Sequence, residues 1–310
     1  MKVVHVAVAI IENHFGEILV AKRPDHLHMG GFWEFPGGKL EPGETVLGAL
    51  RREIREELAL EVHDAAPFLK IPYQYPDKKV LLDVWLVIGF SGQPQGREGQ
   101  EIRWVKKNKL RELEFPPANR HIFTALSLPD RLLVTGGFID MDDCKCHIEH
   151  AITVHGIRAI QLRAHHLGRE EYSALARCVM PLCDANGVAL LLNTSVDGFV
   201  QGAGGIHLSG TRLLAQEKRP IPDDVLLGAS CHNEAEVAHA CNIGVDYICL
   251  SPVLPTISHP GQMHLGWAGF SSLIANCPVP VFALGGIADV DLHRAKAAGA
   301  YGIAAISAWW

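Results

Sequence analysis

Between residues 132 and 307 the chain repeats one pattern: a short apolar run, a turn, then in most intervals a segment of helical periodicity. The runs fall at 132–135, 159–163, 189–193, 205–209, 226–230, 247–251, 279–284 and 302–307, with helical intervals at 170–186, 233–243 and 289–299. Runs of this length are strands, and strands alternating with helices make a parallel sheet. Eight such units predict an α/β (β/α)8 TIM barrel; an open doubly wound sheet is the alternative. After the eighth run only Ala308-Trp309-Trp310 remain, so the barrel is expected to lack its last outer helix. An uncovered apolar strip is costly in water. The tryptophan pair, the N-terminal domain, or a second copy of the chain in a homodimer is expected to cover it.

The first part of the chain has a different rhythm. We place the division at residues 1–128 and 129–310, with Leu128-Pro129-Asp130 as a short linker. Strand-like stretches at 3–11 and 17–21 read as a hairpin joined at 13–16, and those at 70–75 and 80–90 as another, turning at Pro76-Asp77. A short strand follows at 102–105, and a last helix opens at Pro116-Pro117-Ala118-Asn119 and runs to about residue 126. With one central helix, this predicts an α+β sandwich, a mixed sheet between helices.

The central helix lies in residues 37–60, GGKLEPGETVLGALRREIREELAL. Thr45 is its expected N-cap. Val46, Leu50, Ile54 and Leu58 fall four apart and face a core. Glu53, Glu56 and Glu57 share the opposite face, where like charges repel by a few tenths of a kcal/mol per pair, roughly. A cation relieves that repulsion, and hard carboxylate oxygens suit Mg²⁺ or Mn²⁺. The bland alternative is a solvated, charged surface helix.

Composition narrows the partners. A formal net charge of −6 leaves no basic footprint for a nucleic-acid polymer, though a metal can neutralise the phosphates of a nucleotide. Eight scattered cysteines, none in a C-x-x-C pair, read as small buried thiols of a cytoplasmic protein. No apolar run approaches the roughly 20 residues that span a bilayer, so no membrane partner is expected.

The spacing from Gly38 through Glu44 to Arg52-Glu53-Ile54-Arg55-Glu56-Glu57 resembles the Nudix box, with Ala59 where that box has glycine. Lys22-Arg23, His28-Met29, Glu34-Phe35-Pro36-Gly37-Gly38, Gly96-Arg97-Glu98-Gly99 and Phe115-Pro116-Pro117-Ala118-Asn119 resemble the MutT-type 8-oxo-dGTP diphosphatases in the same order. The resemblance implies attack of water on the β-phosphorus of 8-oxo-dGTP, releasing the monophosphate and pyrophosphate. It implies a metal site of Glu53, Glu56, Glu57, Glu98 and a carbonyl of Gly37 or Gly38. The base is Glu53 or Glu98, and Arg52 orients the Glu56 carboxylate. Arg23, His28, Glu34, Phe35, Pro36, Gly37 and Asn119 are implied in substrate binding. 8-Oxoguanine carries a proton on N7 where guanine has a lone pair, so one amide, that of Asn119, can accept from N7 and donate to O6. On residue chemistry alone Asn119 reads equally as a helix cap. Another nucleotide, such as a pterin triphosphate or ADP-ribose, is the rival substrate.

In the second half, Gln161-Leu162-Arg163, Gly205-Ile206-His207-Leu208, Ser230-Cys231-His232, Ser251-Pro252 and Ala283-Leu284-Gly285-Gly286-Ile287 resemble the thiamine phosphate synthase and TenI-type thiazole tautomerase superfamily. A phosphate-bearing small molecule is the expected ligand, held by backbone N–H groups of Gly285-Gly286 and Ile306-Ser307 after strands seven and eight. His232 is the candidate proton shuttle. The sequence departs from the synthase pattern at Thr194, at Ser209-Gly210-Thr211-Arg212 in place of an acidic run, and at Ala164 or His165 and His259 in place of lysines. A magnesium–pyrophosphate site loses most of its charge by these changes. A barrel without synthase activity is therefore expected; an active thiamine-pathway enzyme is the alternative.

Overall fold

A computed structural model describes residues 3–24, 29–256 and 263–310. The chain divides into two compact units, Met1–Ser127 and Leu128–Trp310. The first contains β1 (Val3–Ile11), β2 (Glu17–Lys22), β3 (Trp33–Glu34), β4 (Gly37–Lys39), α1 (Val46–Leu58), β5 (Glu61–Gln74), β6 (Lys79–Ser91), β7 (Ile102–Lys106) and α2 (Arg120–Ser127). Its sheets run β4-β1-β6-β5 and β3-β2-β7. Ala7, Ala9 and Ile11 of β1 pack in one core cluster with Leu50, Ile54 and Leu58 of α1. Val8 and Ile10 pack in a second with Phe35 and Ile122. A strand segment buried on both faces must be apolar, which is what Ala7-Val8-Ala9-Ile10-Ile11 supplies.

Two expectations for this unit need correction. β1 and β2 do not form a hairpin within one sheet; they touch at the isolated bridge Glu12–Ile18 and belong to different sheets. Both edges of β1 are already taken, by β4 antiparallel and β6 parallel. β5 starts at Glu61 rather than near residue 70. Asp64, Ala65, Ala66 and Pro67 are poor strand formers, and the β5–β6 ladder absorbs them through irregularities at Val62/Asp64 and Pro67/Leu69.

Helix α1 starts as expected, with Thr45 Oγ1 accepting from the Gly48 amide at 3.1 Å. It ends on Ala59 at φ 59° and ψ 28°, the left-handed conformation. An alanine there costs about 1–2 kcal/mol. Ala59→Gly is therefore expected to stabilise the first unit by about 1 kcal/mol, read as a higher urea midpoint; an unchanged or lower midpoint would refute the strain.

The second unit contains β8 (Arg131–Val134), α3 (Met141–Thr153), β9 (Ala159–Leu162), α4 (Arg169–Ala185), β10 (Ala189–Leu192), β11 (Gly205–Leu208) and α5 (Gly210–Leu214). It continues with β12 (Leu226–Cys231), α6 (Glu234–Ile243), β13 (Tyr247–Leu250), α7 (Gly266–Ile274), β14 (Val281–Leu284), α8 (Leu292–Ala297) and β15 (Gly302–Ala305). The eight strands close into one barrel in chain order, and each neighbouring pair is parallel. Helices α3, α5 and α7 occupy further intervals between the strands, besides the three named from the sequence. Among the described residues only a 3₁₀ turn, Val196–Gly198, follows β10, and no helix follows β15.

The tryptophan pair fills that gap. Trp309 is 1% exposed and belongs to the barrel core. Its Nε1 donates to Asp289 Oδ2 at 2.8 Å, and Arg131 Nε donates to Asp289 Oδ1 at 2.7 Å. Trp310 stacks on His147 at 4.9 Å between centroids, and its Nε1 donates to the Gly137 carbonyl at 2.7 Å. The expected linker also belongs to the barrel. Leu128 is buried and accepts from the Tyr301 hydroxyl, and Asp130 Oδ2 pairs with Lys296 Nζ at 2.6 Å. Five cysteines are buried, but Cys146 is exposed, so the buried-thiol reading fails there. No helix among the described residues is long and apolar enough to cross a membrane.

Candidate active site and barrel mouth

The first unit holds a cavity of about 580 Å³. Arg23, Glu34, Phe35, Gly37, Gly38, Glu53, Glu57, Glu98 and Asn119 line it, so the fold gathers residues spread over most of the unit. Pro36, Arg52 and Glu56 are not among its lining residues. Pro36 is instead tied into the sheet, its carbonyl accepting from the Ala9 amide at 2.8 Å. His28 lies outside the described residues, as does His259 in the barrel.

Gly37 cannot be another residue. Its φ is 142°, and a Cβ would stand 2.1 Å from the Ala7 carbonyl oxygen. A Cβ on Gly38 would stand 2.2 Å from the Glu53 carboxylate. These two glycines let the backbone of β4 lie directly against the carboxylates of α1. The Gly37 amide donates to Glu57 Oε2 at 3.3 Å.

The carboxylates are more separated than the helical wheel implies. The Glu56 side chain is 60% exposed, whereas that of Glu53 is 17% exposed. Arg52 holds Glu44 with two bonds, at 3.0 and 2.9 Å, and Glu53 at 2.9 Å; Glu56 is its weakest partner at 3.4 Å. The expected Arg52–Glu56 relation is thus secondary. Among the described residues no cluster of three or more Asp, Glu, His or Cys side chains is arranged to hold an ion. Glu53 pairs with Arg52, the Glu56 carboxylate lies towards solvent, and Glu57 accepts from the Gly37 amide.

Burial, and then the neighbouring charge of Glu34, push the Glu57 carboxyl up to about 8 from 4.5. Glu34 is also raised, by burial first, despite its ion pair with Arg23. Arg23 is therefore a paired cation at the cavity wall.

Glu98 is carried by a loop docked on the end of α1. The Gln95 amide donates to the Leu58 carbonyl and that of Arg97 to the Glu57 carbonyl, both at 2.9 Å. Gln100 locks this arrangement. Its Nε2 donates to the Glu57 carbonyl at 3.1 Å while its Oε1 accepts from the Glu98 amide at 2.8 Å. Sequence reasoning missed Gln100, because nothing in a lone glutamine reveals two backbone partners far apart in the chain. Tyr75 and Lys78 also line the cavity. They flank Pro76-Asp77, which by sequence signals only a turn.

Asn119 is 8% exposed. Its Nδ2 donates back to the Pro116 carbonyl at 3.3 Å. Phe35, which lines the same cavity, packs with Phe115 and Phe123, at 5.3 and 6.0 Å between centroids.

In the barrel, Gly285-Gly286 follow β14 and Ile306-Ser307 follow the adjacent β15. Gly285 has φ 94° and Gly286 φ 67°; a Cβ on Gly286 would stand 2.3 Å from the Pro255 carbonyl oxygen. His232, just after β12, bonds Glu236 Oε2 through Nδ1 at 2.8 Å. Asp197 is committed to Arg169, at 3.2 Å. Deeper in the barrel, His207 is wholly buried between the Tyr247 hydroxyl at 2.9 Å and Ser230 Oγ at 2.8 Å. Burial pushes it down to about 3, so it is neutral.

Comparison with known proteins agrees with both architectures. Residues 7–125 match the NUDIX domain and residues 132–309 match the family described as thiamine monophosphate synthase. The 8-oxo-dGTP diphosphatase of Escherichia coli (strain K12) is 40% identical over 126 residues, 41% of this chain and 98% of that protein. The CTP pyrophosphohydrolase of the same organism is 36% identical over 119 residues, 38% of this chain and 87% of that protein. A putative thiamine-phosphate synthase of Geobacter sulfurreducens is 37% identical over 156 residues, 49% of this chain and 73% of that protein. Nudix hydrolases as a family use divalent metal ions. A Nudix pyrophosphohydrolase unit and a barrel are thus joined in one polypeptide, and the chain belongs to the Nudix family through its first unit and to the thiamine monophosphate synthase family through its second.

Proposed function

We propose that the first unit hydrolyses 8-oxo-dGTP to 8-oxo-dGMP and pyrophosphate with Mg²⁺ or Mn²⁺, sanitising the nucleotide pool. The observation that carries this reading is that Asn119 borders the same cavity as Glu53, Glu57 and the Gly37-Gly38 wall. The donor set fits a hard divalent cation. It is all oxygen, and Glu57 keeps its proton near neutral pH only while no cation offsets its burial. Glu53, Glu57 and Glu98 would hold the ion with a carbonyl of Gly37 or Gly38, and Glu56 stands on the adjoining exposed face. A bound cation supplies Lewis acidity to the phosphates and to the attacking water.

The chain's own residues do the rest. Arg52 fixes the Glu53 carboxylate, and Gln100 fixes the loop bearing Glu98, so both candidate bases are positioned. Phe35 offers an aromatic wall, and Arg23 a cation for the phosphate or sugar. The Asn119 amide reads the base edge. A site that hydrogen-bonds a substrate N–H rejects the analogue lacking it by up to roughly 10⁴–10⁵. Asn119→Ala is therefore expected to raise KM for 8-oxo-dGTP at least about tenfold more than KM for dGTP. Equal weakening of both substrates would place base reading elsewhere. Similarity to a CTP pyrophosphohydrolase favours one second reading; faster turnover of CTP than of 8-oxo-dGTP would select it.

For the barrel we propose a phosphate-bearing ligand held by backbone N–H groups of Gly285-Gly286 and Ile306-Ser307, without synthase chemistry. Peptide donors need no particular side chain. A metal–pyrophosphate site needs carboxylates, and Thr194 and the Ser209-Gly210-Thr211 run offer only neutral groups, while Asp197 is occupied by Arg169. Thiazole phosphate and a pyrimidine pyrophosphate, mixed with the protein, are expected to yield no thiamine phosphate at enzymatic rates. Formation at about 1 s⁻¹ or faster would restore an active thiamine-pathway enzyme. In that alternative His232, oriented by Glu236, is the proton shuttle.

A further inference from the structure

All eight cysteines lie in the barrel, and two of them touch. Cys241 Sγ and Cys277 Sγ are 3.7 Å apart. Cys241 sits in the last turn of α6, and Cys277 in the connection between α7 and β14. Among the described residues no other two cysteine sulfurs are in such contact. Both backbones are held in place. The Cys241 carbonyl accepts from the Gly244 amide at 3.1 Å, and the Cys277 amide donates to the Ile274 carbonyl at 2.9 Å. Their exposure differs: Cys277 is 6% exposed, whereas Cys241 is only partly buried. Cys231 on β12 and Cys249 on β13 are nearby and wholly buried.

The two thiols are not equivalent. A hydrogen bond from the Cys277 thiol holds Cys241 below its ordinary range, and the same bond, with burial, holds Cys277 well above its own. Cys277 Sγ also lies 3.7 Å from the Val279 carbonyl, an acceptor that favours the protonated thiol. The sulfur that solvent reaches is thus also the one that ionises first, and the thiolate is the reactive form. A disulfide needs about 2.0 Å between sulfurs, so the pair is less than about 2 Å of sulfur movement from bonding. A reacting thiol with a second thiol already in contact is the arrangement that stops oxidation at a reversible disulfide.

We propose that Cys241 and Cys277 form a redox modification site, in which a peroxide oxidises Cys241 and Cys277 closes a disulfide onto it. The Cys241 thiolate attacks one peroxide oxygen and the O–O bond breaks, leaving a sulfenic acid and, after protonation, one water. Cys277 Sγ then attacks Cys241 Sγ. The S–O bond breaks, the thiol proton leaves with the hydroxide as a second water, and the S–S bond forms. Two thiols lose two electrons, and one hydrogen peroxide becomes two waters. The bridge would tie the end of α6 to the entry of β14 and close a loop containing β13 and α7. This site goes beyond the activity of either unit and depends on neither.

Treating the reduced, native full chain with excess hydrogen peroxide, blocking the remaining thiols and mapping peptides by mass spectrometry tests it. Digestion with chymotrypsin and a glutamate-specific protease separates Cys231, Cys241, Cys249 and Cys277, because Glu234, Glu236, Tyr247 and Phe270 lie between them. The expected product is a peptide pair joining Cys241 to Cys277, short of two hydrogens and released by dithiothreitol. The oxidised barrel should also melt higher than the reduced one, because the bridge closes a loop in the unfolded chain, and dithiothreitol should reverse the rise. Cys277→Ala removes the second thiol, so Cys241 should stop at a sulfenic acid that dimedone traps. Absence of that adduct would overturn Cys241 as the reacting thiol. The wild-type map decides the proposal without any variant. Cys241 left unreacted, carried on to sulfinic acid, or bridged to Cys231 or Cys249 instead would overturn it.

Discussion

Glu57→Gln is expected to lower nucleotide hydrolysis on the order of 10³-fold or more while making the metal-free first unit more stable at pH 8. The two effects have one cause. The Glu57 carboxyl sits beneath the Gly37 amide, and burial followed by the charge of Glu34 raises it from 4.5 to about 8. A carboxyl whose folded-state value is raised favours folding while it is protonated. That contribution is full below about pH 4.5 and is lost as pH climbs through about 8. The metal-free wild type should therefore lose melting temperature relative to the glutamine variant across this window. Glutamine is uncharged at every pH, so the difference should reach a few kcal/mol by pH 8. Adding Mg²⁺ at pH 8 should raise the wild-type melting temperature and leave the variant nearly unmoved. Near-wild-type turnover in Glu57→Gln, with parallel melting profiles, would reduce the carboxylates to a solvated face.

Trp309→Ala is expected to destabilise the barrel by about 3–5 kcal/mol, a fall of roughly 10 °C in its melting transition. Trp309 is almost wholly buried and belongs to the barrel core beside β15, which no helix follows among the described residues. Removing the indole leaves a cavity that a barrel wall cannot close, and it deprives Asp289 of one of its two donors. Trp310→Ala should cost less, because Trp310 is only partly buried and its contacts are with His147 and the Gly136-Gly137 backbone. Calorimetry resolving the two units separates the cases. Equal, small shifts for both variants would mean that the indole of Trp309 is not what seals the wall.

Gln100 and Ala59 mark where reading by pattern succeeds and where it stops. Ala59 stands one residue beyond a helix whose cap, apolar stripe and length all follow from local spacing, and its left-handed backbone is the conformation a C-terminal glycine would take. The eight barrel runs were legible for a related reason: each is four to six residues of apolar chain, and their repetition allows few closures. Gln100 has no such local mark. Its importance comes from reaching Glu57 through a hydrogen bond between residues distant in sequence.

The sequence by itself determined the two units, the strand and helix types, and the inventory of chemical groups, because these depend on periods of two and 3.6 residues and on motif spacing. Tertiary structure alone decided how those groups are used. It took both edges of β1 and so separated β1 from β2. It turned Glu56 outward and left Glu57 beneath Gly37, although the two are consecutive on one helix. It paired Asp197 with Arg169 and brought the Arg212 guanidinium onto Asn193. The physical reason is common to all three. Burial and electrostatic pairing depend on which distant segment arrives beside a residue, and local spacing carries no record of that arrival.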